Sequence, residues 1–366
     1  MLLPGLLLAL LGLLAKLGLL PFTRRRELVE EGPLHVTALW STLAVVALIS
    51  VLLRVYVGAL HSPRLANEPY GWTGALPTIA LLTGGWASVA ATRQRRLSRV
   101  IALLALAQHS LLLLGLVAAA SFHGHVGVGA RHIAPEYEIL WARLAGDEAY
   151  AAVLIQLAAL VIATLGCFAA LAASGAVRLQ HWAGMAARRP GLALAFAIGL
   201  LAMIGLPPLA GFIGKLGILR AIVEHSAMRW MLIVVVIELA IGAWVALRVI
   251  TTMLVGDDPV SEPEPRIEPS RWAAGTTYAA AVLSLLLGLG GQRLVVFGRL
   301  PAAGGSFEPG DSNRLEWLEQ RRASWAIEDA RFADGPELEP DEGEAETEGA
   351  SETGEDEAPM SIQPAE

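Results

Sequence analysis

Cysteine is nearly missing from this chain. Its 366 residues include one, Cys167, set in an apolar run. A disulfide framework and a cysteine-based zinc site are therefore excluded. No GxGxxG, phosphate-binding loop, CxxC pair or nucleophile motif occurs, so nothing in the sequence is suited to hold a nucleotide, a flavin or an iron–sulfur cluster. Nucleic acid is not an expected partner, and no metal site is expected. Acidic residues are also scarce until late in the chain. Residues 1–301 carry 15 Asp and Glu against 23 Lys and Arg, whereas residues 302–366 carry 19 acidic residues against four Arg. The net charge of −7 is thus a property of the tail. What remains is apolar: 55% of the chain is hydrophobic and its mean hydropathy is +0.55. These values describe an all-α polytopic membrane protein.

Eight apolar stretches reach the roughly 20 residues that a bilayer needs. They lie near 2–22, 34–58, 75–92, 99–121, 149–174, 191–219, 228–253 and 274–298. The first lacks a basic start and a small-residue cleavage site before Pro21, so it reads as a membrane helix and not a leader. The third is rich in Gly and Thr, which blurs its ends. Twelve arginines mark one set of alternating loops, around 24–26, 93–99, 178–189 and 266–271, against six in the opposite set. Arginine-rich loops face the cytoplasm, which puts both termini outside. The loop 122–148, with His123, His125 and His132, reads as a solvated outer loop. Residues 311–333 carry Leu315, Leu318, Arg322 and Trp325 at helical spacing. Beyond Gly335 the acidic run has too little apolar surface to fold and is expected to be disordered.

Two of these stretches are interrupted. Residues 191–219 contain Pro207 and Pro208, with Gly211 and Gly214 close behind and then Lys215. Paired prolines remove backbone donors and break a helix. The first stretch carries Lys16 five residues before Pro21. An ionisable residue at membrane depth marks an ion or proton path, and broken helices are where such sites are built. Lys16 and Lys215 are therefore the primary candidates, with snorkelling to an interface as the bland alternative for each. Glu238, inside Ile233–Trp244, must be protonated or paired; a proton-path role stands against a structural pair with an arginine such as Arg248. His109 sits mid-helix and is either a relay or a satisfied neutral histidine. Gln156 and Thr164 read first as polar helix contacts.

The stretch Gly205-Leu206-Pro207-Pro208-Leu209-Ala210-Gly211-Phe212-Ile213-Gly214-Lys215 closely resembles the signature of the antiporter-like subunits of respiratory complex I and of multisubunit cation/proton antiporters. Gly12–Phe22 resembles the lysine-bearing broken helix of that family's first repeat, and Glu31–Thr42 the segment that follows it. Gln94–Ala102 resembles a further family segment, and Leu247-Arg248-Val249-Ile250 looks most like subunit N of NADH–quinone oxidoreductase. The resemblance covers about residues 5–300. It implies that 1–58 are the last two helices of a first antiporter-like repeat, 75–253 a second repeat, 274–298 a C-terminal membrane helix and 302–366 an acidic tail. It also implies a proton-translocating subunit in a bacterial inner membrane, with other membrane-arm subunits and the lipid bilayer as partners. NADH, flavin, iron–sulfur clusters and quinone would then sit on those partners, and Lys16, Lys215, Glu238 and His109 would carry protons. A cation/proton antiporter, a membrane-bound hydrogenase subunit and a non-pumping structural subunit stay open. The sequence departs from the family at Val45, where the family has a lysine, and at Ser98, Thr23 and Gln108. The helices that precede Lys16 in the family have no counterpart here. That implies a separate N-terminal half-subunit, a shortened start or a reduced paralogue.

Overall fold

The computed structural model describes residues 11–20, 22, 33–58, 72–125, 136–225, 228–255 and 270–290. The acidic tail, the 311–333 segment, Pro21 and His132 lie outside the described residues, as do the side chains of His123 and His125. All named elements among the described residues are helices. We number the long ones in chain order. Residues 11–17 form α1. Helix α2 runs through Leu34–Leu39, a π-helical turn at Trp40–Ala44, and Val45–Gly58. Then come α3 (Trp72–Thr92), α4 (Leu97–His125) and α5 (Glu136–Ser174). After the short turns Leu179–Trp182 and Met185–Arg188, the chain continues with α6 (Pro190–Ile204), α7 (Ala210–Glu224), α8 (Met231–Val255) and α9 (Arg271–Leu289).

Among the described residues, six helical segments are long and apolar enough to cross a membrane: Leu34–Arg54, Gly74–Thr92, Leu97–Ser121, Ala145–Ser174, Met231–Val255 and Arg271–Leu289. The stretch 191–219, expected as a span interrupted at Pro207 and Pro208, consists of two helices of 15 residues each, α6 and α7. Helices also extend into the expected outer loop, since α4 runs on to His125 and α5 starts at Glu136.

The centre of the bundle is α4. Its spanning window is wholly buried, against 28% for α8 and 17% for α9. A helix that is apolar on all sides belongs where neighbours surround it, and α3, α5, α7 and α8 all pack against α4. In a bilayer, lipid is as apolar as leucine, so helices associate through close packing and small residues. Glycines supply that closeness here. A Cβ at Gly217 would lie 2.6 Å from Ala152 Cβ, and one at Gly115 would lie 2.9 Å from Ile218 Cγ1 and from Val153 Cγ2. At one end of the bundle, Leu97 N–H donates to Val177 O and Leu179 N–H to Arg95 O, which ties the α3–α4 turn to the end of α5.

Candidate proton-transfer site

Helix α6 stops at Gly205, not at the prolines. Gly205 has φ +86°, a conformation that costs other residues about 1–2 kcal/mol. Its N–H donates to Ala202 O at 3.2 Å, and Leu206 N–H donates back to Leu201 O at 3.1 Å. This paired pattern closes a helix end and uses two of its last carbonyls. The next carbonyl, Met203 O, takes a hydrogen bond from Lys215 Nζ. Lys215 is 4% exposed, so its amine is enclosed by protein. It sits at the C-terminal end of α6, where the helix dipole favours a positive charge, while exclusion from water penalises that charge. Both effects are set by the break.

The glycines around the break explain how a lysine fits. A Cβ at Gly205 would lie 2.7 Å from Lys215 Cδ and 3.1 Å from Nζ. One at Gly211 would run into the Ala202 carbonyl, and one at Gly214 would come within 2.6 Å of the Gln156 amide nitrogen. So α7 lies directly on α6 and α5. On the far side, a Cβ at Gly288 of α9 would meet Leu209 C at 2.6 Å, which places α9 across the interrupted backbone. Pro207 and Pro208, joined by a cis peptide, are exposed.

Helix α1 ends in the same way. Gly18 has φ +73°; Gly18 N–H donates to Ala15 O and Leu19 N–H to Leu14 O, both at 3.2 Å. The next amide, Leu20 N–H, donates to Thr83 Oγ1 of α3 at 3.0 Å. Lys16, however, is exposed on the described chain. Leu14 and Leu17 point into the core at 4% and 2% exposure, and the opposite face of α1, with Lys16, has none of the described helices over it. Of the two candidate lysines, Lys215 is enclosed by the described chain and Lys16 is exposed on it.

Glu238 is 8% exposed and lies against α3. A Cβ at Gly84 would come 2.9 Å from Glu238 Cδ, and one at Gly85 would lie 3.5 Å from Oε1. Arg248 does not pair with it. The Arg248 guanidinium donates to Thr92 O and, at 2.8 Å, to Gln94 O, with Trp244 beneath it at 5.8 Å. Ten residues of helix put Arg248 about 15 Å along α8 from Glu238.

His109 is fully buried on α4, beside Gln108. Gln156 Nε2 donates to Gln108 Oε1 at 3.4 Å, and Gly214, next to Lys215, packs on the Gln156 backbone. Gln108 and Gln156 thus form a polar pair between α4 and α5, and α7 packs on the backbone of Gln156 at Gly214, the residue before Lys215. Val45, at the family's lysine position, is 4% exposed and directly follows the π-helical turn of α2. Among the described residues there is no group of three or more His, Cys, Asp or Glu that would hold a metal ion. Sequence reasoning missed Thr83, Gly84 and Gly85. Their signal was the Gly and Thr content of the third stretch, which blurred its boundaries and also builds two contacts.

An interrupted helix, an enclosed lysine bonded to one of its last carbonyls and a membrane bundle whose described elements are all helices point to an antiporter-like membrane subunit. Residues 137–242 match the family model described as NADH:quinone oxidoreductase/Mrp antiporter, TM, which supports an antiporter-like subunit. It is 30% identical, over 79% of its length and 53% of the relative's, to NADH-quinone oxidoreductase subunit N 1 of Sorangium cellulosum. Among solved structures it is similar to a chain of respiratory complex I from Thermus thermophilus, at 25% identity and TM-score 0.60, covering 80% of this chain and 58% of that one. It shares the fold of a chain in the Mrp complex from Dietzia sp., at 20% identity and TM-score 0.64, covering 81% and 58%. The chain spans about half the length of the curated relatives it matches.

Proposed function

We propose that this chain is a proton-translocating membrane-arm subunit of an NADH–quinone oxidoreductase. The observation that carries the reading is the enclosed Lys215, bonded to Met203 O at the end of an interrupted helix, inside the family-matched segment. Lys215 takes up a proton as its ammonium form and releases it when a neighbouring charge changes. Gln156, Gln108 and His109 offer polar groups for the path towards α2 and Lys16. Val45 cannot hold a proton, so water or His109 bridges that level. Lys16 acts once a further chain covers the outer face of α1; a separate N-terminal half-subunit is the partner that fits. NADH, flavin, iron–sulfur clusters and quinone belong to the other subunits, and this chain performs no redox step. The arginine-rich loops put the termini on the outer face of a bacterial inner membrane.

The test is Lys215→Ala in the assembled complex, reading protons moved per quinone reduced. Translocation falls while the complex still assembles. Unchanged translocation would leave a scaffolding role. The second reading, a cation/proton antiporter subunit, is favoured by the fold shared with the Mrp complex chain. Cation-for-proton exchange in vesicles without NADH separates it from the first.

A further inference from the structure

We propose that Glu238 and Ser88 form a second proton-holding site where α3, α4 and α8 meet, with Gly84 and Gly85 as its backbone seat. This inference rests on the proton-translocating reading and extends it to a helix pair that contains no lysine. Two buried polar atoms carry it. Glu238 Oε1 and Ser88 Oγ are both enclosed and have no hydrogen-bond partner among the described residues; Ser88 is 0% exposed and Glu238 8%. Buried polar groups are nearly always satisfied, so two such groups facing one interface point to a ligand that satisfies them.

Their placement follows from helix geometry. Ser88 lies four residues after Gly84 and three after Gly85, hence on the same face of α3 and one turn along. Glu238 is seated on that face. Arg248, ten residues on in α8, reaches Thr92 O and Gln94 O, so α3 and α8 run in the same direction. One turn from Glu238 towards Ser88 stands Gly242, where a Cβ would meet only Leu104 Cδ2, at 3.7 Å. The interface is therefore open at the level of the hydroxyl. The seat is also fixed at its other edge, because Thr83, next to Gly84, accepts the Leu20 amide hydrogen bond and donates to Ile79 O at 2.7 Å.

The ligand class is a proton. One carboxylate and one hydroxyl are too few oxygens to replace the hydration shell of a metal cation, and no cationic side chain among the described residues pairs with Glu238. A protonated carboxyl donates through its O–H and a hydroxyl can accept, here through one bridging water, since the two groups are not bonded to each other. When the proton leaves, the Ser88 O–H turns to donate towards the carboxylate through the same water. No bond between heavy atoms forms or breaks.

The experiment uses the assembled complex and compares infrared difference spectra of the original chain with those of Glu238→Gln, Ser88→Ala and Ser88→Thr. The expected result is a carboxyl carbonyl band that is lost in Glu238→Gln, shifted in Ser88→Ala and restored in Ser88→Thr. Proton translocation should fall several-fold in Glu238→Gln and less in Ser88→Ala. If no band depends on Glu238, or if the band ignores Ser88, the site is overturned, whatever Lys215→Ala does. If the band behaves as expected and Lys215→Ala leaves translocation intact, the site stands and the Lys215 pathway falls. A sodium-dependent shift of the band would overturn the choice of a proton as ligand.

Discussion

Lys215 Nζ and Met203 O are hydrogen-bonded across twelve residues of chain, so the amine closes the helix end that precedes its own helix. A lysine used as a helix cap inside a bundle has its position fixed by backbone, and backbone is costly to move. The side chain lies against Gly205, whose left-handed conformation ends α6. One residue therefore sets both where the helix stops and whether the lysine fits.

Gly205→Ala tests that relationship. The left-handed backbone costs alanine about 1–2 kcal/mol, and its methyl would lie 2.7 Å from Lys215 Cδ. The variant should unfold at lower temperature in detergent and translocate fewer protons, with quinone reduction kept. A variant with full translocation would separate the break from the lysine.

Gly214→Ala should destabilise by about 1–3 kcal/mol, as overpacking does, because the added methyl meets Gln156 backbone atoms at 2.6–2.7 Å and not a yielding side-chain tip. Gly74→Ala is the control. Nothing lies within 4 Å of its Cβ position, so helix propensity makes it neutral or stabilising by up to about 1 kcal/mol. Thermal midpoints of the two variants in the same detergent check the contrast.

Thr83→Val keeps the shape of the side chain and removes the acceptor for Leu20 N–H. A buried amide without a partner costs about 1–3 kcal/mol. Hydrogen exchange at Leu20 should accelerate, while amides in α5 keep their protection.

Arg248→Met should loosen α8 from the end of α3. Its guanidinium holds two carbonyls, Thr92 O and Gln94 O, and hydrogen bonds to a charged group contribute about 1.5–3 kcal/mol. The expected readout is a lower unfolding midpoint. Arg248→Lys recovers only part of it, since one ammonium cannot reproduce the planar fork.

Gln156→Leu should cost little, on the order of 0.6 kcal/mol for an interhelical hydrogen bond in a membrane, yet slow proton transfer if the Gln108–Gln156 pair lies on the path. A double-variant cycle with Gln108→Leu measures the coupling between the two.

Much of the site can be read from residue order. Paired prolines, flanking glycines and a lysine in one apolar run announce a helix break with an enclosed charge, and Lys215 occupies such a place. Where the helix stops is less legible. Proline draws attention, but both interrupted helices end at a glycine with positive φ, Gly18 and Gly205. The arginine considered as a partner for Glu238 is on the same helix, and only the packing of α3 against α8 reveals that it grips carbonyls. Lys16 illustrates the limit. Whether a helix face is covered depends on neighbours that local pattern does not specify, and here Leu14 and Leu17 take the inner side. Thr83, Gly84 and Gly85 were readable only as weak helix formers, because a notch has meaning only when another helix occupies it.

The wholly enclosed α4 has a consequence for biosynthesis. It leaves the ribosome before α5, α7 and α8, so it first meets lipid on sides that later belong to protein. Its early surroundings must then be stripped away and replaced as those later segments arrive. Variants that delay the arrival of α7 or α8 should accordingly leave the middle of the bundle open to degradation long before they alter any finished contact.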